Sequence, residues 1–558
     1  MALERDPFTG GPPLPQLIYE RTAGAAAAPL SPRYRPTRHP ESAPLYRIVY
    51  HGLKDFLEQA ASSGNGYPSF IEKEFRKYLG CRILGRGFAR VVCPACKKEH
   101  LLAFTCKSRV CPGCWNRRAA DFAATTVDQV LPGLPYRQFV ISFPWTMRFA
   151  LAFHPKFLTQ VFRIFVRSLF SWYRLRGRRL GISGGNPAAI LMIQKQGSAI
   201  NVNPHGHVVA ADGLFVSPVE TQTLDFEALP PPSNQELQAL LDRVISRTIA
   251  LYQKTYASDD VYLDPDDLPV AHAISDALRA PVAPPSADEI FQDDLHKPQP
   301  KDELCLQKNG FSLHARRFIH DTDRKGLEHL LRYGARAPIA GSRLSIDEDG
   351  QVVYRFAKPW GITGATALRL APTDFLRRLA MLIPPPYQNL IRYFGVFASR
   401  SKLRPLMPPP PPPTTLTPTT RPANDEGSNQ ANNDESNQLN DDHLALPTPP
   451  KRTYRLPWAR LMKRVLDIDP LICTRCATLM VIVAFISDLE IVRKILNYLK
   501  IPMNAVPAPL EHGPSQTRLS GLDPTQLDPQ LHLDLEVTVA TSSTDPDTSS
   551  SKARDPPP

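Results

Sequence analysis

Apolar residues recur at three- and four-residue intervals along several stretches of the chain, a spacing that places them on one face of an α-helix. Six stretches have this pattern: residues 46–61, 70–78, 116–131, 156–175, 234–256 and 322–332. The last stretch begins beside Asp321 and Asp323, either of which can cap the first turn of a helix. We therefore predict one helix over each stretch.

Residues 199–210 alternate between apolar and polar residues, which is typical of a strand with one buried face. Strands are also predicted over residues 137–143, 188–194 and 310–318. Two shorter runs, 344–346 and 351–356, flank an acidic turn that ends in Gly350 and are predicted to form a hairpin.

The remaining regions lack periodicity and are rich in proline, of which the chain contains 59 among 558 residues. Residues 408–413 are all proline, and an Asn- and acid-rich tract follows that cannot bury enough apolar area to fold. We predict disorder at residues 1–40, in a linker at 405–452 and in a tail at 506–558. A polar insertion at about 257–304 is also left without predicted structure.

The net charge is +12 at pH 7, and acidic residues concentrate in the linker and tail, so the rest of the chain is strongly basic. Such a balance favours nucleic acid as the partner. The longest apolar run, 479–486, is too short to cross a bilayer, and no signal peptide is evident, which predicts a soluble, cytoplasmic protein. Phosphate-binding glycine motifs are absent, so a nucleotide-driven motor has no support.

Two CxxC motifs, Cys93–Cys96 and Cys111–Cys114, lie fourteen residues apart. Two residues between sulfurs let one tight turn supply two ligands, so these four thiolates predict one structural zinc site. Disulfides are disfavoured because the chain is long and lacks secretory features. Cys81 and Cys106 are either alternative zinc ligands or small buried apolar residues.

The remaining cysteines form no complete motif. Cys473 and Cys476 make half a zinc site, which binds zinc with His512 or across chains, or else consists of reduced thiols packed in a small α/β piece. Cys305 lies in the polar insertion and is predicted to have no role.

Arg and Lys residues alternate with aromatic residues around the CxxC motifs and recur beyond them, either as a phosphate-binding surface or as a solvated basic face. The predicted DNA contacts are Arg90, Lys97, Lys107, Arg109, Arg117, Arg176, Arg178, Arg179, Arg332 and Arg336.

His205 and His207 occupy alternate positions of the strand predicted over 199–210. Successive strand residues point to opposite faces, so both imidazoles project from the same polar face, close enough to hold one divalent ion. The alternative is a pair of exposed histidines without a ligand role.

Tyr333 is placed at the C-terminal end of the helix predicted over 322–332. Arg332, Arg336 and His329, the last one helical turn earlier, give it a cationic setting that favours a phenolate or a bound phosphate. A tyrosine at a helix end is otherwise a packing residue with its hydroxyl in solvent.

These motifs, in this order, resemble the rolling-circle transposases of the insertion-sequence-ninety-one family. The resemblance runs from about residue 35 to 403 and resumes at 458–499. It rests on the CxxC pair and on Leu131-Pro-Gly-Leu-Pro-Tyr-Arg-Gln, Ser142-Phe-Pro, Asn201-Val-Asn-Pro-His205-Gly-His207-Val, Gly310-Phe-Ser-Leu-His-Ala315, Arg332-Tyr333-x-x-Arg336-x-Pro338 and Ile468-Asp-Pro-Leu-Ile-Cys473-Thr-Arg-Cys476.

The resemblance implies an endonuclease of the HUH type that nicks and rejoins single-stranded DNA at element ends, with host replication factors as possible partners in a bacterial nucleoid. His205 and His207 would hold Mg²⁺ or Mn²⁺, and Tyr333 would attack the phosphate to form a 5′-phosphotyrosine. For the third metal ligand we weigh His314, Gln194 and Asp212, with a slight preference for His314.

The chain departs from the family pattern in two places. Gly206 replaces a bulky apolar residue and is expected to leave a gap in the core, which would impair activity. His329 stands where a second tyrosine occurs in some members, so the chain resembles the single-tyrosine branch. Alternative functions are a rolling-circle replication initiator of a plasmid or phage, and a catalytically decayed zinc DNA-binding protein.

The expected fold is α+β. It comprises a zinc-binding DNA-binding domain at 41–131, an HUH-type nuclease domain at 132–404 with a central antiparallel sheet, and a small C-terminal α/β module at 453–505.

Overall fold

A computed structural model describes residues 16–18, 40–62, 64, 66–217, 223–256, 303–359, 364–411, 471–473 and 475–501. The tail predicted at 506–558 and most of the predicted insertion and linker lie outside these residues. Within the described residues the α-helices are α1 (Pro44–Ser62), α2 (Ser69–Leu79), α3 (Pro112–Gln129), α4 (Trp145–Phe153), α5 (Pro155–Arg179), α6 (Asn234–Tyr256), α7 (Arg324–Gly334), α8 (Pro372–Leu382) and α9 (Leu489–Tyr498).

The strands alternate with these helices along the chain. They are β1 (Gln16–Ile18), β2 (Phe88–Val92), β3 (Glu99–Ala103), β4 (Tyr136–Ser142), β5 (Ala188–Gln196), β6 (Val202–Ala211), β7 (Gly213–Val216), β8 (Asp225–Ala228), β9 (Cys305–Lys308), β10 (Phe311–His314), β11 (Phe318–Ile319), β12 (Leu344–Ile346), β13 (Val352–Arg355), β14 (Ala367–Leu370), β15 (Ile391–Gly395) and β16 (Val481–Ile486).

The largest sheet is antiparallel, with strand order β15-β5-β6-β4-β10-β9 and with β11 also paired to β4. One face packs on α4, α5 and α6 through residues such as Phe139, Leu191 and Val208. The other face packs on α3 and α7 through Met192 and Val209. The histidine strand β6 is therefore central, with helices on both faces.

A second sheet, β1-β14-β13-β12, shares an apolar core with α1, α2 and α8. β1 corrects the prediction that residues 1–40 are wholly disordered, because Gln16–Ile18 pairs with β14. Mixed helices and antiparallel sheets confirm the predicted fold class at this level. No helix among the described segments is both long enough and apolar enough to cross a bilayer.

The C-terminal segment is not a separate module, contrary to the sequence prediction. β16 pairs with β2 in a three-stranded antiparallel sheet of order β16-β2-β3. Val492 and Leu496 of α9 pack on Phe88 of β2. A strand and a helix that are too short to form a core alone thus complete the domain that carries the CxxC motifs.

Candidate active site

His205 and His207 lie on the face of β6 that packs on α3 and α7. Their ring centroids are 5.1 Å apart. His205 pairs in register with Ser142 on one side and with Gln194 on the other, and His207 pairs with Val140 and Met192. The predicted alternation is present, and it brings both imidazoles to one place.

Each imidazole is oriented by a hydrogen bond at Nδ1. His205 Nδ1 donates to the backbone carbonyl of Asn203 at 2.8 Å. Gln138 Nε2 lies 2.9 Å from His207 Nδ1, and with the side-chain amide turned over its Oε1 would accept from Nδ1–H instead. Both contacts direct Nε2 away from the strand, and His207 Nε2 is buried with no hydrogen-bond partner.

Both histidines are held in the neutral form. Burial lowers the pKa of His207 to about 3, and the charges of His205 and Arg336 act in the same direction. Burial also lowers the pKa of His205, helped by Arg336 and Arg148 and opposed by the hydrogen bond to Asn203. A neutral imidazole with a free Nε2 lone pair is the form that binds metal ions.

Tyr333 lies at the C-terminal end of α7, directly beside the histidines. Its ring centroid is 5.8 Å from that of His207, with the planes at 87°. The side chain is 44% exposed, so its hydroxyl is accessible to a large substrate. The side chain of Asp323 caps the first turn of α7, because its Oδ1 accepts a hydrogen bond from Gly326 N at 2.8 Å. Asp323 is one of the two residues that were predicted as the cap.

Gln194 joins the tyrosine helix to the histidine sheet. Its Nε2 donates to the carbonyl of Tyr333 at 2.9 Å and to that of Gly334 at 2.8 Å. A Cβ at Gly334 would lie 2.6 Å from Met192 Sδ, so the helix end approaches β5 as closely as only glycine allows. Gln194 Oε1 is left buried and without a partner.

The three residues weighed as the third metal ligand have different surroundings. Val140 separates His314 from His207 in the sheet, which puts their backbones roughly 10 Å apart, and His314 contacts Cys305 Sγ at 3.1 Å. Asp212 is ion-paired with Arg137 at 2.7 Å. Gln194 lies directly across from His205, so the geometry favours Gln194 over the sequence preference for His314.

Gly206 does not leave the expected gap. A Cβ at this position would overlap Cε1 of Phe162, whose ring comes from α5 and is completely buried. Phe162 thus occupies the volume that a larger residue between the histidines would need.

The four CxxC cysteines do not form one site, which corrects the predicted ligand set. Cys111 and Cys114 meet Cys81 and Cys106, whereas Cys93 and Cys96 meet Cys473 and Cys476. The physical reason is β3, whose five residues extend roughly 17 Å between Cys96 and Cys106. Cys93 and Cys96 are therefore at the tip of the β2–β3 hairpin, and Cys111 and Cys114 are near its base.

In the first cluster, Cys111 and Cys114 start α3. Cys81 Sγ is 3.7 Å from Cys111 Sγ and 3.8 Å from Cys114 Sγ, and Cys106 Sγ is 3.6 Å from Cys114 Sγ. Sulfurs around a tetrahedral zinc ion, with Zn–S near 2.3 Å, are about 3.8 Å apart. The donor set and its spacing therefore fit zinc.

The first cluster also contacts the tyrosine helix. Trp115, next to Cys114, donates from Nε1 to the carbonyl of Ala335 at 2.9 Å. At the other end of α3, Arg324 donates to the carbonyls of Val127, Leu131 and Pro132. The hydrogen bonds of Trp115 and Arg324, which sequence patterns did not reveal, thus hold both ends of α7 against α3.

The predicted DNA contacts divide into exposed and structural cations. Arg176 is buried and ion-paired with Glu236 at 3.1 Å, and Arg109 donates to the carbonyls of Pro384 and Pro385. Arg90 pairs with Glu99. Arg117 and Arg332 are half-buried, and Lys97, Lys107, Arg178, Arg179 and Arg336 are exposed. Arg109 and Arg176 are thus corrected to structural residues.

Arg336 has a specific position at the site. Its guanidinium carbon lies 4.2 Å from the centre of the Tyr333 ring. Arg148, which the sequence analysis did not select, is close enough to His205 to lower its pKa. Two cations thus border the histidines and the tyrosine.

Comparisons with known proteins place these features in a family. Residues 50–143 match the family described as "Transposase zinc-binding domain", and residues 271–404, which include Tyr333, match the family described as "Putative transposase". The transposase for insertion sequence element IS801 of Pseudomonas savastanoi pv. phaseolicola is 24% identical over 424 residues, which cover 74% of this chain and 84% of that protein. No solved structure matches significantly.

The matched zinc-binding domain contains the first cysteine cluster, and the second matched family contains the tyrosine helix. Together with the similarity to the IS801 protein over most of both chains, these matches support a transposase of the insertion-sequence-ninety-one family, a class of protein that implies DNA as the partner.

Proposed function

We propose that the chain nicks and rejoins single-stranded DNA at the ends of its element through a covalent bond to Tyr333, in transposition of the rolling-circle type. The observation that carries this proposal is the meeting of an accessible tyrosine with two buried neutral histidines, at a ring distance of 5.8 Å from His207. A phenol beside two potential metal ligands is an arrangement suited to metal-assisted phosphoryl transfer to tyrosine.

His205, His207 and Gln194 are the residues that we propose for a catalytic Mg²⁺ or Mn²⁺. The fit rests on two buried atoms without partners, His207 Nε2 and Gln194 Oε1, and on the register that sets Gln194 beside His205. An ion bound there would polarise the phosphate that is attacked.

Tyr333 performs the covalent step in this proposal. Its Oη attacks the phosphorus, the P–O3′ bond breaks, and the 3′ oxygen takes a proton from solvent water and leaves as a free hydroxyl. The phenolic proton passes to solvent, which reaches the half-exposed ring. The reverse attack of a 3′-hydroxyl on the phosphotyrosine rejoins the strand and releases Tyr333, so the energy of the phosphodiester is conserved.

Arg336 and Arg148 supply fixed positive charge to this site. Negative charge builds up on a phosphate while a nucleophile attacks it, and a preorganised cation stabilises that charge best where water is excluded. Because Arg336 lies over the Tyr333 ring, it can contact the same phosphate that the phenol attacks. The gap that was expected beside Gly206 is filled by Phe162, which removes that argument against activity.

The test is a nicking assay on an end-labelled single strand taken from the element end. Tyr333→Phe keeps the ring and its packing but lacks the attacking oxygen, so we expect normal DNA binding and no covalent adduct. Tyr50→Phe is the control, because Tyr50 is 45% exposed, like Tyr333 at 44%.

An adduct that persists in Tyr333→Phe contradicts the assignment of the nucleophile. Wild-type protein that cleaves without ever forming an adduct contradicts the covalent mechanism. Nicking of a plasmid or phage origin in preference to the element end would favour the replication-initiator alternative.

A further inference from the structure

The second cysteine cluster lies outside the catalytic domain and contains two pairs of cysteines that are far apart in the chain, Cys93 with Cys96 and Cys473 with Cys476. Cys93 Sγ is 3.4 Å from Cys476 Sγ, and Cys96 Sγ is 3.5 Å from Cys473 Sγ. All four sulfurs lie within 4.8 Å of one another. The spacing is far longer than a disulfide bond of about 2.05 Å and close to the roughly 3.8 Å between thiolates around zinc.

The two halves of the cluster have the same backbone structure. Lys97 N donates to Cys93 O at 3.0 Å, and Ala477 N donates to Cys473 O at 2.9 Å. Lys97 and Ala477 both adopt left-handed conformations, with φ of 58° and 55°. Few non-glycine residues adopt this conformation, so its occurrence at equivalent positions marks two copies of one turn.

A second pair of hydrogen bonds completes the equivalence. Cys93 N donates to Lys98 O at 2.9 Å, and Cys473 N donates to Thr478 O at 2.9 Å. Each turn thereby directs its two sulfurs to the same side. Two such turns at the ends of a three-stranded antiparallel sheet are the architecture of a zinc ribbon.

We propose that Cys93, Cys96, Cys473 and Cys476 bind a second structural zinc ion, which fastens the C-terminal segment to the N-terminal domain. The matched zinc-binding family ends at residue 143, so it does not include Cys473 and Cys476. This ion is distinct from the one assigned to the first cluster, and it is independent of the proposed nicking reaction.

The protein contacts of this segment are few. Cys473 and Met480 pack against Val91 and Cys93, Val492 and Leu496 pack on Phe88, and β16 pairs with β2. Val481, Val483 and Phe485 of β16 are more than half exposed. A metal ion that takes two ligands from each partner would strengthen this attachment, because its binding free energy becomes folding free energy.

The first test is the zinc content of the full-length protein purified under reducing conditions. We expect two zinc ions per chain in the wild type and one in the double variant Cys473→Ser, Cys476→Ser. Cys305→Ser is the matched control, since Cys305 belongs to neither cluster, and it should retain two. One zinc ion in the wild type, or two in the double variant, would overturn the proposal.

A second measurement does not depend on the folding of a variant. A protease recognition sequence is inserted between residues 411 and 471 of the wild-type chain, and the purified protein is cleaved. We expect the C-terminal fragment to co-elute with the remainder in zinc-containing buffer and to separate after treatment with a strong chelator. Separation in zinc, or co-elution that survives complete removal of zinc, rules out the metal as the fastening.

Discussion

The two polar atoms of the Gln194 side chain have different surroundings. Its nitrogen binds the carbonyls at the end of α7, and its oxygen is buried, partnerless and adjacent to His205. An unpaired buried oxygen costs stability unless an ion or a substrate satisfies it. The residue therefore both positions Tyr333 and remains available as a ligand.

Gln194→Leu should weaken Mn²⁺ binding by about 10- to 100-fold, a loss usual when metal-site support is removed. Gln194→Glu retains an oxygen and should recover most of the affinity. His314→Ala is the control, because His314 is two strands from His207. Titration of zinc-loaded protein with Mn²⁺ measures the effect, and an equal loss in His314→Ala would return the ligand role to that residue.

At the scale of elements, local periodicity predicted the helices well because apolar spacing is a property of a short segment. All six predicted helices and the hairpin at 344–356 are present, with ends shifted by a few residues. Elements that were missed include α4, α8, β9, which contains Cys305, and several other short strands. The strand predicted over 310–318 is divided into β10 and β11.

Contacts between segments that are distant in the chain leave no such pattern in the sequence. The fourteen-residue spacing of the CxxC motifs suggested one site, but β3 separates them in space, and the partners of Cys93 lie more than 370 residues away. The choice of Gln194 over His314 likewise depends on strand order, since both residues lie on strands of the same sheet and only the order places Gln194 next to His205. Strand order is set by the whole fold rather than by local sequence.

Helix α5 approaches strand β6 closely at Gly206. Phe162 lies where a side chain at position 206 would project, so close that a Cβ there would overlap its ring, and the ring is fully buried and cannot move away freely. Gly206→Ala should therefore lower the free energy of unfolding by about 1–3 kcal/mol through overpacking.

Denaturant unfolding of Gly206→Ala and of the double variant Gly206→Ala, Phe162→Leu measures this effect. The smaller residue at 162 should restore part of the loss if the two side chains compete for one volume. A single variant as stable as the wild type would show that α5 can shift at no cost.

At the scale of the whole molecule, the exposed cations lie on different faces of the large sheet. Lys107 follows Cys106 of the first cluster, and the contact of Trp115 with Ala335 brings that cluster to the end of α7, where Arg336 is exposed. Arg178 and Arg179 end α5, which packs on the opposite face. We therefore expect a single strand bound at Tyr333 to contact Lys107 and Arg336 rather than Arg178 and Arg179.

Salt dependence of DNA binding can distinguish these two faces. Each phosphate contact contributes about 0.7 to the slope of log affinity against log salt for single strands. Lys107→Gln with Arg336→Gln should therefore flatten the slope by about 1.4. Arg178→Gln with Arg179→Gln removes the same charge from the opposite face and should leave the slope nearly unchanged. If the second pair flattens the slope as much as the first, the strand also contacts the α5 face, and the path of DNA must wrap around the sheet rather than cross the tyrosine side alone.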